Sequence, residues 1–133
     1  MKILFVYTNI NGFHEDGYAD GIAIMMAVTK KAGHDIRYLR IFKKSDYFLV
    51  DETVKEFKPD VVGFTAVSSQ FSVVTNLSAI VKKISPKIIN VCGGVHPTLY
   101  PQCVLENKNL DLVFIGDSEF PFLEFLKKLK NNQ

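Results

Sequence analysis

Hydrophobic positions along the chain fall into two alternating patterns. Apolar runs predict parallel strands at residues 2–8, 60–64, 87–92 and 110–115, and a weaker alternation at 35–42 predicts a strand nearer the sheet edge. Apolar residues at helical spacing predict helices at 22–31, 51–57, 71–84 and 101–106, and a last helix capped by Ser118. The predicted fold is α/β, a doubly wound five-stranded parallel sheet of flavodoxin-like (Rossmann-like) order 2-1-3-4-5 in three α/β/α layers.

In that strand order, four strand-exit loops meet along one edge of the sheet. They span residues 9–17, 65–70, 93–98 and 116–119, and they are rich in Gly, Asn, Ser and Thr. Ligands of open parallel sheets bind outside the carboxyl ends of the strands. The Gly93-Gly94 pair is therefore a candidate ligand wall, because glycine lets a ligand approach the backbone closely. The alternative interpretation is a tight turn that contacts no ligand.

Composition narrows the class of protein. The 133 residues suit one domain, and 47% hydrophobic and 23% charged residues are typical of a globular protein. A net charge of +2 gives no argument for nucleic acid. No apolar run is long enough to span a membrane, and the chain starts with a strand instead of a cleavable signal, so we expect a cytoplasmic location. Cys92 and Cys103 have no metal-site spacing, and Cys92 is predicted to be a buried thiol.

Several ligand classes lack the motif that they require. The chain has no GxxxxGK[ST] phosphate loop, and no GxGxxG follows the first strand. A phosphoryl-accepting receiver needs acidic residues where this chain has Thr8-Asn9 and Thr65-Ala66. A flavodoxin needs a hydroxyl-rich phosphate loop after strand 1, and Thr8 with Asn9 and Asn11 is a poor version of it.

Three segments resemble a known family in their order and spacing. They read DVVGFT from Asp60, VCGGVHPT from Val91 and DLVFIGDSE from Asp111. They are similar to PDxVGxS, GGxHxT and DxVxxGEGE of the cobalamin (vitamin B12)-binding domain at the N-terminus of cobalamin-dependent radical SAM enzymes. The resemblance covers nearly the whole chain. It departs at Asp117-Ser118, where the family has Glu-Gly.

More distant cobalamin domains carry DxHxxG after strand 1, with the His on cobalt. This chain offers two registers of the motif. GFHEDG, from Gly12, has His14 at the histidine position but Gly12 in place of the Asp. DGYADG, from Asp16, has the Asp but Tyr18 in place of the His. We prefer the second, because it places Gly21 at a helix start. The resemblance then implies that the cobalt-ligating histidine is missing, as in most of the radical SAM branch. His14 and His96 are interpreted as loop hydrogen-bonding residues, and His34 as structural.

The resemblance also implies a set of cofactor-binding residues. The nucleotide tail of cobalamin is expected between the central strand ends and the corrin across the exit loops. The implied residues are Asn9, Asn11, Asp16, Tyr18, Gly21, Thr65, Val67, Ser68, Ser69, Gly93, Gly94, His96, Pro97, Gly116 and Glu119. For each hydroxyl and amide the alternative role is to cap a turn or a helix. We expect no catalytic residue and no metal ligand in the set.

The resulting hypothesis is a single cobalamin-binding domain, residues 1–133, in the N-terminal part of a longer radical SAM protein. Methyl transfer or a related radical reaction is implied. The iron–sulfur cluster and S-adenosylmethionine belong to a C-terminal domain, because CxxxCxxC is absent here. Cobalamin and that domain are the expected partners, with neither nucleic acid nor membrane. The alternative is a flavodoxin-like small-ligand or interaction domain that binds no cobalamin.

Overall fold

The structure is a computed structural model that describes residues 1–12 and 20–132. Its five strands are β1 Lys2–Thr8, β2 Asp35–Ile41, β3 Val61–Thr65, β4 Ile89–Gly93 and β5 Leu112–Val113. Its helices are α1 Asp20–Lys31, α2 Tyr47–Phe57, α3 Phe71–Ile84, α4 Val95–Leu99, α5 Pro101–Leu105 and α6 Glu119–Asn131, with 3-10 turns at Lys44–Asp46 and Ser68–Gln70. Within these ranges, no helix has both the length and the apolar character needed to cross a bilayer.

The strands form one sheet of order β2-β1-β3-β4-β5, and every pair is parallel. The predicted fold class and strand order are therefore confirmed. The register aligns Tyr7 with Thr65 and Thr65 with Gly93, so three central strands end side by side. Because all strands run the same way, their exit loops gather at this edge. We call the edge formed by residues 9–12, 65–70, 93–98 and 116–119 the rim.

Helices cover both faces of the sheet, which explains the continuous apolar strands. On one face, Leu4 and Val6 of β1 belong to a core that contains apolar side chains of α2 and α3. On the other face, Ile3 and Phe5 pack in a second core with Ile22 of α1 and with α6. Alternate residues of each strand thus serve opposite cores, as strand geometry requires.

Two single residues stand out: a glycine closes α1, and Cys92 is buried as expected from the sequence. Gly33 ends α1 at φ 94°, and its N–H and that of His34 donate to the carbonyls of Lys30 and Thr29. This is the paired arrangement in which a left-handed glycine closes a helix. Cys92 is fully buried, and burial raises the pKa of its thiol to about 12.

Several predicted boundaries are wrong. Helix α2 begins at Tyr47 and not at Asp51, because its buried apolar stripe of Val50, Val54 and Phe57 starts before Asp51. Asp51 lies inside the helix and forms an ion pair with Lys55 at 2.9 Å. Strand β5 has only two residues instead of six. Residues 95–99, predicted as loop, form α4.

The cap predicted for Ser118 is correct in position only. Ser118 occupies the position before α6, but its side chain makes no cap hydrogen bond to the helix. Instead its hydroxyl donates to the carbonyl of Gly116 at 2.9 Å. The serine therefore stabilises the turn between β5 and α6.

Candidate functional site

A cleft of ≈ 160 Å³ opens between α1 and α6 at the rim. Its inner wall consists of residues from the three central strands, Phe5, Gly63 and Val91. Its sides are apolar and come from the two helices: Ile22, Met25 and Phe122. The cleft is thus a slot on one face of the sheet, suited to a flat apolar group inserted along the strands.

Glycines form much of this slot. Among the described residues, nothing lies within 4 Å of a hypothetical Cβ at Gly21 or Gly116, so both border open space there. Gly94 differs, because a Cβ there would lie 2.8 Å from Thr65 Oγ1 and 3.0 Å from the Ala66 carbonyl oxygen. Gly94 also has φ 109°, a value that side chains rarely adopt. It therefore allows the β4 turn to touch the end of β3.

The mouth of the cleft is polar and acidic. Thr65 and Ser118 contribute hydroxyls there, and Asp117 and Glu119 contribute carboxylates. No basic residue is found among the described residues that line the cleft. This charge pattern disfavours a ligand that would place a doubly charged phosphate in the slot.

His96 joins the exit of β4 to the exit of β3. Its N–H donates to the carbonyl of Ala66 at 3.0 Å, and its Nδ1 is hydrogen-bonded to Ser68 Oγ at 2.9 Å. The ring is buried, and it stacks on Phe71 with centroids 4.4 Å apart. Its Nε2 is buried and has no partner within residues 1–12 and 20–132. His96 thus makes the hydrogen bonds expected of it, but from α4 and not from a loop.

Thr98 joins the exit of β4 to that of β5. Its hydroxyl donates to the carbonyl of Gly94 at 2.7 Å and accepts from the N–H of Gly116 at 2.9 Å. The GGxHxT segment therefore has a structural explanation. Gly94 permits close approach to β3, His96 bonds to the β3 exit, and Thr98 bonds to the β5 exit.

The exit of β1 is held by Gln70, which the sequence analysis did not single out. Both amide atoms of this buried side chain bond to the backbone of Ile10, each at 2.8 Å. The side chains of residues 70, 96 and 98 thus connect all four segments of the rim. Gln70 and its partner Ile10 are 60 residues apart in the sequence, so no local sequence pattern indicates this contact.

The predicted cofactor-binding residues divide into three groups. One group lines the cleft: Gly21, Thr65, Gly93, Gly94, Gly116 and Glu119. A second group lies on the rim outside the cleft: Asn9, Asn11, Val67, Ser68, Ser69, His96 and Pro97. The third group, Asp16 and Tyr18, lies outside the described residues, as does His14.

Comparison with models of known protein families shows which family this chain belongs to. The family model described as "B12 binding domain" matches residues 9–126, most of the chain. The chain belongs to the B12-binding domain family. The resemblance found in the three sequence segments is thereby confirmed.

Two curated relatives are long proteins. The chain is 29% identical to cytidylyl-2-hydroxyethylphosphonate methyltransferase of Streptomyces wedmorensis, over 99% of this chain and 29% of the relative. It is 35% identical to anaerobic magnesium-protoporphyrin IX monomethyl ester cyclase of Rubrivivax gelatinosus, over 90% of this chain and 23% of the relative. The chain thus spans less than a third of the length of these relatives.

A solved structure supports the fold. The radical S-adenosylmethionine methyltransferase TsrM of Kitasatospora setae, with cobalamin and a [4Fe-4S] cluster bound, superposes with a TM-score of 0.83. The match covers 100% of this chain and 25% of TsrM at 15% sequence identity. At that identity the likeness establishes a shared fold.

The cleft also contains residues that the sequence analysis missed. These are the apolar side chains that form its wall and sides: Phe5, Ile22, Met25, Val91, Phe114 and Phe122. Each was assigned to a strand or helix as ordinary core. The pattern carries no sign that distinguishes a core position from one beside a slot, so only the packing of α1 against α6 reveals it.

Proposed function

We propose that this domain binds cobalamin with the cofactor's own base displaced from cobalt, and that the nucleotide tail occupies the cleft between α1 and α6. The observation that carries the proposal is the glycine-lined apolar slot that opens at the carboxyl ends of β1, β3 and β4. A displaced aromatic base is flat and apolar, and the slot offers Gly63, Val91 and Phe122 as its contact surface. Family membership supplies the ligand class.

The residues present fit this cofactor. Thr65, at the mouth, has a hydroxyl placed to hydrogen-bond a polar atom of the tail. Gly21 and Gly116 leave open space on either side, since a Cβ at either position would touch none of residues 1–12 and 20–132 within 4 Å. Corrin side chains end in amides, and the polar side chains of Asn9, Asn11 and Ser69 at the rim are of the kind that pairs with amides. The wall and sides of the slot are apolar, and its acidic side chains, Asp117 and Glu119, lie at the mouth.

When bound, cobalamin supplies a cobalt centre that can carry a methyl group. We infer that this chain contributes binding and orientation to a radical SAM methyltransferase or a related radical enzyme. The relatives named above, a methyltransferase and a cyclase, support this role. The iron–sulfur cluster and S-adenosylmethionine are expected in a C-terminal domain beyond residues 1–133. A cytoplasmic location is favoured by the two free cysteines, Cys92 and Cys103.

Retention of corrin colour tests the proposal. The protein is mixed with hydroxocobalamin and passed over a gel-filtration column. We expect corrin absorbance to elute with the protein, with a spectrum shifted toward that of cobinamide, which lacks the base. Colourless protein after incubation at high cofactor concentration would instead favour the alternative, a small-ligand or interaction domain that binds no cobalamin.

We further infer that no histidine of this chain ligates cobalt, because Tyr18 occupies the ligand position in the preferred register. A neutral imidazole is a good metal donor, whereas a phenol with a pKa of about 10 is a poor one. The EPR spectrum of bound Co(II) cobalamin should therefore show no nitrogen splitting from an axial ligand. Splitting that disappears in His14→Ala would establish the other register. Splitting that disappears with cobinamide would mean that the base stays on cobalt.

A further inference from the structure

Gln70 makes an uncommon contact for a residue at a helix start. It precedes α3, where a polar side chain normally bonds to its own helix, but it makes no such cap. Its side chain instead crosses to the exit of β1. Its Oε1 accepts from the N–H of Ile10 at 2.8 Å, and its Nε2 donates to the carbonyl of Ile10 at 2.8 Å. Gln70 is 3% exposed, so both bonds are shielded from water.

This contact continues the sheet beyond the end of β1. Strand β1 ends at Thr8, and the N–H of the next residue, Asn9, donates to the Ile41 carbonyl at 2.9 Å. Ile10 then bonds to Gln70 through both of its backbone groups, as it would to a neighbouring strand. Asn11 follows with φ 57°, a left-handed conformation that turns the chain away. The amide of Gln70 therefore determines where the β1 exit loop leaves the sheet.

We propose that Gln70 is a positioning residue, which sets cobalamin affinity by holding residues 9–12, at the exit of β1, in their binding conformation. The inference rests on the proposed function. Residues 9–12 form the part of the rim that follows β1, and Asn9 and Asn11, on either side of Ile10, are the residues proposed above to pair with the corrin amides. A loop that is already fixed need not be ordered when the ligand binds, so affinity is retained. Without the clamp, that ordering opposes binding.

Two variants of nearly equal size separate the clamp from simple packing. Gln70→Met keeps the length of the side chain and removes both hydrogen bonds. Gln70→Glu keeps the acceptor but cannot donate to the Ile10 carbonyl when ionised; when protonated, it can again donate and accept. Asn90→Leu is the control, because Asn90 is also a fully buried amide that bonds to two backbone carbonyls, those of Ser78 and Asn109, away from the rim.

Two quantities are measured. The first is the Kd for hydroxocobalamin between pH 5 and 9, divided by the wild-type Kd at the same pH. The second is the rate of amide hydrogen exchange at Ile10 in the cofactor-free proteins. Taking the ratio to wild type removes the pH effects of the cofactor and of the other titratable groups. We expect Gln70→Met to raise Kd about tenfold to hundredfold at every pH and to speed exchange at Ile10. We expect Gln70→Glu to resemble Gln70→Met at high pH and to approach wild type at low pH. Asn90→Leu should lower the melting temperature while its Kd stays within about twofold of wild type.

Each opposite result overturns the inference. Unchanged exchange at Ile10 in Gln70→Met would show that the clamp does not hold the loop. Unchanged Kd with faster exchange would show that the loop does not set affinity. Equal loss of affinity in Asn90→Leu would assign the effect to general destabilisation. If wild type itself binds no cobalamin, the proposed function fails and this inference fails with it, whereas the other results leave that function intact.

Discussion

Gly94 shows how one residue serves both the fold and the cleft. At φ 109° and ψ −166° its backbone lies in a region open essentially to glycine alone. Its missing side chain also leaves room for Thr65 and Ala66 at the end of β3. From the sequence, Gly94 was a candidate for a ligand wall. In the structure it allows the exits of β3 and β4 to come into close contact. Gly94 is therefore a poor position for testing the ligand channel alone.

The adjacent glycines should respond differently to the same substitution. Gly94→Ala should lower the free energy of unfolding by about 1–3 kcal/mol, because the added Cβ is strained and meets the backbone of Ala66. Gly93→Ala is the matched control, since its Cβ would make an ordinary 3.7 Å contact with Phe114 Cβ. Urea unfolding of both variants provides the measurement. Equal stability of the two would show that the turn relaxes around a side chain.

Gly21 provides the cleaner test of the cleft. It is the second residue of α1 and lines the slot, and in the part of the chain that the structure describes a Cβ there would touch nothing within 4 Å. Because leucine favours the helical conformation more than glycine does, Gly21→Leu should stabilise α1 by up to ~1 kcal/mol. It should also place a bulky side chain in the slot. Crowding of the tail at a cost of about 1–3 kcal/mol corresponds to a loss of affinity of roughly 5- to 150-fold.

A second leucine on the same helix controls for the Gly21 experiment. Ala27 is exposed on α1 and does not line the cleft, so Ala27→Leu adds the same side chain outside the site. Thermal melts and hydroxocobalamin titrations should show both variants folded and only Gly21→Leu impaired. Wild-type affinity in a folded Gly21→Leu protein would locate the tail elsewhere.

At the scale of elements, the rim is held together by side chains that cross from one exit loop to the next. Gln70 and Thr98 bond to backbone atoms of another segment, and the His96 ring is hydrogen-bonded to the hydroxyl of Ser68. Parallel strands make few contacts after they end, so their exit loops depend on such bonds for a fixed shape. A shape fixed before binding reduces the ordering that a large ligand requires.

Removal of the Thr98 hydroxyl should loosen one of these contacts. Thr98→Val keeps the shape of the side chain but can neither accept from the Gly116 N–H nor donate to the Gly94 carbonyl. Because water can replace partners at this exposed site, we expect a loss of stability of only about 0.5–1.5 kcal/mol. Amide exchange at Gly116 should become faster, while Thr98→Ser, which keeps the hydroxyl, should resemble wild type. Unaltered exchange at Gly116 in Thr98→Val would contradict a role for this bond.

The periodicity of hydrophobic residues predicted the helices and strands well where their burial follows from the local sequence. The continuous apolar strands and the stripe on α3 specify a buried parallel sheet, and its strand order was correct. Strand β5 was predicted too long, because an apolar run at a sheet edge does not require pairing along its whole length. The cleft residues and Gln70 were missed because their roles depend on contacts between distant segments.

At the scale of the whole molecule, the chain accounts for only part of its relatives. It spans 29% of the Streptomyces methyltransferase and 25% of TsrM. It has two cysteines, Cys92 and Cys103, and the first is buried with its thiol pKa raised to about 12. A buried thiol of that kind is a poor source of the thiolate that an iron–sulfur cluster requires. The binding of cobalamin and the chemistry of a SAM radical therefore belong to different parts of the proposed enzyme.

This division predicts what the purified chain can do alone. Loaded with cobalamin and supplied with S-adenosylmethionine and a strong reductant, it should neither cleave S-adenosylmethionine nor methylate an acceptor, because it lacks the CxxxCxxC ligand set for the cluster. Chromatography of the reaction mixture for 5′-deoxyadenosine measures the cleavage, and retained corrin absorbance shows that the domain was loaded. The positive control is a radical SAM protein with its own cluster, assayed under the same conditions. Product above the protein-free background would contradict the separation of binding from radical chemistry, and it would require a cluster or a catalytic group in this chain.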